Sequence, residues 1–135
     1  MQQDAMRPAL RVCVTVLAFI GLAGVVPVSL AQATGSQMCP HLGRLPACHL
    51  VAIAYAVMFV SVLRVNLWHP AVFLVAWLPV FGLAAMGSGL ELTGYDTCPK
   101  TAGGWPKCFF SLALATAVAV PVIIHWKSSD RNAVS

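Results

Sequence analysis

The chain has 135 residues, of which 59% are hydrophobic and only 9% charged, against roughly 25% charged in an ordinary soluble domain. That leaves too few polar side chains for a water-facing surface, and the net charge of +4 sits at the ends of apolar stretches, which argues against a nucleic-acid partner. The sequence contains no phosphate loop, no Ser/His/Asp arrangement and no paired carboxylates, so it offers nothing to the common nucleotide-dependent and hydrolytic chemistries.

The first apolar run, Val12 to Ala31, follows Arg7 and Arg11. Its length is close to the roughly 20 residues that a helix needs to cross a hydrocarbon core. Basic residues, an apolar stretch and "SLAQA" also resemble a secretory signal peptide cut after Ala31 or Ala33. A signal core normally runs about 7 to 15 residues, so the length favours a retained span, and Cys39 lies outside in either case. A cysteine loop, 32–47, contains "MCPHLGRLPACH". The second run, Cys48 to Val65, is followed by a short turn that holds Arg64, and the third covers Ala71 to Leu90. A second cysteine loop, 91–107, carries "TCPKTAGGWPKC", and the fourth run, Cys108 to Trp126, leads into a polar tail with Lys127 and Arg131. Backbone at membrane depth must satisfy its own hydrogen bonds, which an isolated apolar run does as a helix. The sequence therefore predicts an all-α membrane protein with four transmembrane helices in a bundle.

Charge sets the expected orientation. Arg7, Arg11, Arg64, Lys127 and Arg131 lie on one side, and Arg44, Lys100 and Lys107 on the other, where Glu91 and Asp96 partly offset them. By the positive-inside rule both termini are cytoplasmic and both cysteine loops periplasmic, in a bacterial inner membrane or its equivalent. Trp68 and Trp126 then mark the inner interface and Tyr95 and Trp105 the outer one.

Sliding the first half onto the second by 59 positions places Ser29 on Ser88, Thr34 and Gly35 on Thr93 and Gly94, and Cys39 and Pro40 on Cys98 and Pro99. One extra residue in the second loop brings Pro46 onto Pro106 and Cys48 onto Cys108. The sequence thus reads as two repeats, 1–68 and 69–135, each made of span, cysteine loop and span. Two spans per repeat insert the same way up, as parallel repeats.

Outward cysteines tend to oxidise. Of the three connectivities open to Cys39, Cys48, Cys98 and Cys108, the repeat favours Cys39–Cys48 and Cys98–Cys108. Fully extended, the first loop would span roughly 30 Å, whereas bridged Cα atoms lie about 5.5 Å apart. The chain must double back, and Gly43 and Pro46 are suited to turning it. Closing a loop of about ten residues contributes around 2.5 to 3 kcal/mol. A metal alternative draws on Cys39, His41, Cys48 and His49, but the second loop has no histidine and oxidised cysteines do not ligate as thiolates. Cys13 is expected as a small buried residue of the first span.

Glu91 is an acid beside an apolar stretch, placed among headgroups or, if deeper, a functional candidate. His69 and His125 fall at cytoplasmic interfaces. Small residues in "GLAG" and "GLAAMGSG" allow close helix approach, and Pro27, Pro79 and Pro121 are potential kinks.

Four spans and two outward cysteine pairs resemble the layout of the disulfide bond formation protein B and vitamin K epoxide reductase group. The resemblance implies electron transfer from a partner's thiols through cysteines to a quinone. That group carries a Cys-x-x-Cys, whereas the spacings here are Cys-x8-Cys and Cys-x9-Cys, so no catalytic residue carries over. Cys48 and Cys108 open helices and have basic residues nearby, as a reactive thiol requires. The sequence reading favours a non-catalytic accessory or assembly protein with a membrane or periplasmic protein partner and no cofactor. The alternative is a thiol–disulfide oxidoreductase using quinone through Cys39, Cys48, Cys98 and Cys108, and a third is a small-solute transporter.

Overall fold

The computed structural model describes residues 8–36, 39–63 and 70–134. Arg7, Arg64 and Trp68, used above to orient the chain, lie outside the described residues, as do the expected span end Val65 and the interfacial His69. Four helices account for most of the fold: α1 (Pro8–Ala33), α2 (Ala47–Leu63), α3 (Pro70–Leu92) and α4 (Lys107–Val134). Two-residue strands β1 (His41–Leu42) and β2 (Leu45–Pro46) form a small hairpin between α1 and α2. Three helices (α1, α3 and α4) are long and apolar enough to cross a membrane, and α2, with 17 described residues, is a shorter apolar helix. The helices overrun the expected spans. α1 is already helical at Pro8, the first described residue there and ahead of Val12, and α4 continues through the polar tail to Val134.

Each helix packs on two neighbours, α1 on α2 and α4, and α3 on α2 and α4, which closes a four-membered ring. Directions alternate, because the start of α1 meets the end of α2. There the Arg11 guanidinium donates from Nε to the Val62 carbonyl at 2.9 Å and from Nη2 to the Leu63 carbonyl at 2.6 Å. These carbonyls belong to the last described residues of α2, and a cation near the C-terminal part of a helix complements its dipole. Arg11 therefore ties two helices together as well as marking a charged end.

The ring encloses an apolar core that includes Val14, Tyr55, Met58, Val62, Phe73, Val80, Val118 and Val122. Its outer face is apolar too: Leu30 is 63% exposed, Ile53 62% and Val75 71%. A helix that is apolar on both faces matches a hydrocarbon surrounding, because water would leave that outer surface unsatisfied. Cys13 corrects one expectation. It is exposed rather than buried, because the adjacent Val14, wholly buried, takes the inward position and successive helical side chains point about 100° apart.

Two close approaches organise the centre. Tyr55 of α2 lies over Gly21 of α1, where a Cβ would overlap the aromatic ring. Trp77 of α3 stacks on Phe81 at 4.7 Å between centroids and donates its indole N–H to the Ala115 carbonyl of α4 at 2.9 Å. In each case a large ring faces a small residue on the neighbouring helix, the device that lets apolar helices interlock where hydrophobic burial drives association weakly.

Gly21→Ala should therefore lower thermal stability in detergent by about 1–3 kcal/mol, the usual cost of overpacking. Combined with Tyr55→Ala, the same substitution should cost much less than it does alone. Additive losses would show that the ring and the glycine are not coupled.

Candidate functional site

Both cysteine loops stand at the same end of the ring, where the chain is locally ordered by turns that its glycines and prolines dictate. Each loop leaves its helix through a Schellman cap. In the first, the Ser36 N–H donates to the Ala31 carbonyl at 3.0 Å and the Gly35 N–H to the Gln32 carbonyl at 3.1 Å. In the second, the Tyr95 N–H reaches Leu90 and the Gly94 N–H reaches Glu91, both at 3.1 Å. Gly35 and Gly94 have φ of 74° and 92°, which only glycine adopts without strain at this cap position.

The loops then fold back. In the first, His41 pairs with Pro46 and Leu42 with Leu45, turning at Gly43 (φ 66°) and Arg44. Glycine at the first central position of a two-residue hairpin is the primed-turn preference. In the second, Lys100 bridges Pro106, and the Thr101 N–H donates to the Trp105 carbonyl at 2.9 Å. The residue that opens the next helix donates back to the proline after the first cysteine: Ala47 to Pro40 at 2.9 Å, and Lys107 to Pro99 at 3.0 Å.

Cys39 is bonded to Cys48, with Cα atoms 6.2 Å apart, and Cys98 to Cys108 at 6.0 Å. Cys39 and Cys98 are buried, and Cys48 and Cys108 sit half-buried in the first turns of α2 and α4. The metal alternative needs Cys39 and Cys48 as thiolates, and their sulfurs are joined to each other. Among the described residues no three His, Cys, Asp or Glu side chains converge. His41 is exposed, and the Nδ1 of His49 is buried without a hydrogen bond.

Glu91 is a loop anchor at the end of α3. Its Oε2 accepts from the Thr97 N–H at 3.3 Å, and its Oε1 lies 3.7 Å from the Lys100 ammonium. In the first loop Gln32 plays the matching part, its Oε1 accepting from the Cys39 N–H at 2.7 Å. Lys100 also donates to Asp96 at 2.5 Å. That hydrogen bond and the Asp96 charge, helped by Glu91, raise the Lys100 pKa above its ordinary value. Tyr95 and Trp105, each 67% exposed, flank this end.

Beneath the loops lies a cavity of about 790 Å³ bordered by all four helices and both loops. Cys48, Cys98 and Cys108 are on its wall, as are Tyr55 and Ser111. Gly87 of α3 supports the second disulfide: a Cβ there would stand 2.8 Å from the Cys108 Sγ and 3.0 Å from the Cys98 Sγ. Nearby, Ser29 donates to the Cys48 carbonyl at 3.1 Å, whereas the Ser88 hydroxyl is buried without a hydrogen bond. The sequence reading named the cysteines and Glu91 but missed Tyr55, Ser111, Gln32 and Gly87 as parts of one site. The glycine-rich run around Gly87 was the available signal, and its disulfide neighbour was not visible in it.

Gly87→Ala should lower the thermal midpoint of the oxidised protein. In a Cys98→Ser, Cys108→Ser background the loss should shrink, because the smaller hydroxyls relieve the overlap. An equal loss in both backgrounds would mean that Gly87 does not serve the disulfide.

No family model, curated protein or solved structure matches the chain.

Proposed function

We propose that this protein is a small, non-catalytic integral membrane subunit of the accessory or assembly kind, and that its two disulfide-clamped loops form one rigid face for a membrane or periplasmic protein partner. The observation that carries this reading is the closure of each cysteine pair within its own loop, beside backbone hydrogen bonds that pin the loop to its helices. A clamp of this size restricts the denatured chain by about 2.5 to 3 kcal/mol, and it also keeps the exposed loop surface in one shape, which reduces the ordering cost of binding.

The reading includes four spans in a bacterial inner membrane, with both termini cytoplasmic. Its support is the charge bias of the sequence, the apolar outer face of the ring and the exposed Tyr95 and Trp105 at the loop end. It also includes duplication of a two-helix unit in parallel. Support comes from paired details at the sequence offset of 59 or 60: caps at Gly35 and Gly94, backbone anchors Gln32 and Glu91, bridges His41–Pro46 and Lys100–Pro106, and helix-opening bonds to Pro40 and Pro99.

One observation favours a second reading, thiol–disulfide exchange. Cys48, Cys98 and Cys108 border the same cavity, and Cys48 and Cys108 stand at helix N-termini, where a thiolate is stabilised. In that chemistry a partner dithiol would become a disulfide as a loop disulfide becomes two thiols. The two electrons and two protons would then pass to a quinone, giving the quinol and restoring the bridge.

After reduction, a membrane-impermeant thiol reagent applied to intact cells should label Cys39, Cys48, Cys98 and Cys108 and spare Cys13. Labelling that needs an opened membrane would reverse the proposed orientation.

Replacing Cys98 and Cys108 together with serine should lower abundance or partner association without trapping another protein. The wild-type bridges should stay closed at glutathione-like potentials. If Cys48→Ser or Cys108→Ser instead accumulates mixed disulfides, and the purified protein cycles with a dithiol and a quinone, exchange replaces the clamp reading.

A further inference from the structure

The cavity under the loops combines an apolar wall with a single cation, a pattern that the clamp role does not use. Its volume of about 790 Å³ lies within the roughly 300–1,000 Å³ of small-molecule pockets, and most of the side chains on its wall are apolar. It is also half open. Ile20 of α1, Met86 of α3 and Phe110 of α4, all on its wall, are 51%, 64% and 60% exposed. A charged or strongly polar solute would lose its hydration beside such side chains without compensation, whereas a neighbouring lipid already presents hydrocarbon to them.

Lys107 is the one charged residue on that wall among the described residues. The acids near it are engaged by another cation: Lys100 pairs with both Asp96 and Glu91. Lys107 has no ion pair and no side-chain hydrogen bond among the described residues. It opens α4 two residues after Trp105, which is 67% exposed. With the loop end at the membrane surface, that aromatic residue marks the depth of the lipid head groups. Ala47, Cys48 and Cys108 on the same wall belong to the first turns of α2 and α4, whose dipoles add positive potential there. An uncompensated cation at head-group depth, joined to an apolar volume open to hydrocarbon, complements an amphiphile with an anionic head.

We propose that this cavity holds an acyl chain of a phospholipid with a net negative head group, its phosphate received by the Lys107 ammonium and its chain lying beneath the two disulfide-closed loops. A phosphate is the complement that Lys107 lacks. A zwitterionic head group brings its own ammonium and satisfies that phosphate internally. The site goes beyond the clamp role and leaves the loop surface free for a protein partner. It holds whichever leaflet the loop end faces, because it recognises a phosphate and a chain.

Oxidised, full-length protein in a nonionic detergent, given equal amounts of dioleoyl phosphatidylglycerol and dioleoyl phosphatidylcholine, should retain mainly the former in native mass spectrometry. Phosphatidylglycerol should also raise the thermal midpoint more than phosphatidylcholine does. sn-Glycerol 3-phosphate, a head without a chain, should do neither. Lys107→Gln should reduce the preference for phosphatidylglycerol about fivefold, the loss expected for one basic residue at an anionic head group. Gly24 is on the cavity wall, and a Cβ there meets nothing within 4 Å. Gly24→Leu should therefore occupy chain space without displacing a neighbour and lower retention of both lipids. Equal retention of the two lipids by the wild-type protein, or retention of neither, would overturn the proposal without reference to any variant. So would a preference undiminished in Lys107→Gln, or retention unchanged in Gly24→Leu. Stabilisation by sn-glycerol 3-phosphate alone would make the ligand a free phosphate ester and overturn the lipid assignment.

Discussion

The backbone of an apolar chain has to find its hydrogen-bond partners within itself wherever no water can reach, and that constraint shapes the rest of this structure. A peptide group left unpaired in hydrocarbon costs several kcal/mol. The long runs therefore pair their backbone within helices, apart from the turns interrupted by Pro27, Pro79 and Pro121, and their outward faces are also apolar. Three hydroxyls inside the helices follow the same rule. Thr15, Ser61 and Thr116 each donate to the carbonyl one turn back, at 2.8, 2.6 and 2.8 Å, which satisfies the hydroxyl without a partner helix.

With the outer face unable to drive association by hiding from water, the ring depends on fit and on its ends. Fit comes from rings set against small residues, Tyr55 on Gly21 and Trp77 against Ala115. At one end Arg11 closes the carbonyls of α2. At the other, covalent bridges and backbone bonds fix the loops to the first turns of α2 and α4. Those bridges also roof the cavity, with Gly87 as the point where the second one rests on α3. Rigidity of the loops and the shape of the cavity are thus physically connected.

The two halves share their loop anchors but not their centres. Gln32 and Glu91 both reach a loop N–H from the end of a helix. Glu91 adds charge, which draws Lys100 toward the loop together with Asp96. In the interior, Gly21 and Tyr55 align in sequence with Val80 and Ala115 at offsets of 59 and 60. The large side chain comes from α2 in the first half and is replaced by Trp77 of α3 in the second. This asymmetry leaves one phenol and not two beside the cavity.

The sequence by itself determined the helical class, the places of the apolar runs and the glycine-marked turns into the two cysteine loops. These follow from solvation and local backbone rules, which act over a few residues: a long uncharged run must be a helix, and glycine after Thr34 or Thr93 ends one. It also marked Glu91 as an unusual acid, because charge beside an apolar run is visible in a linear string. It misplaced Cys13, since a helix apolar on every side gives no periodic signal of which face turns inward. The meeting of Tyr55 with Gly21 and Ser111, and of Gly87 with the second disulfide, was decided only by the tertiary structure. Those contacts join residues from different helices, and their geometry depends on helix rotation and separation, which are set by three-dimensional packing and written in no short stretch of the chain.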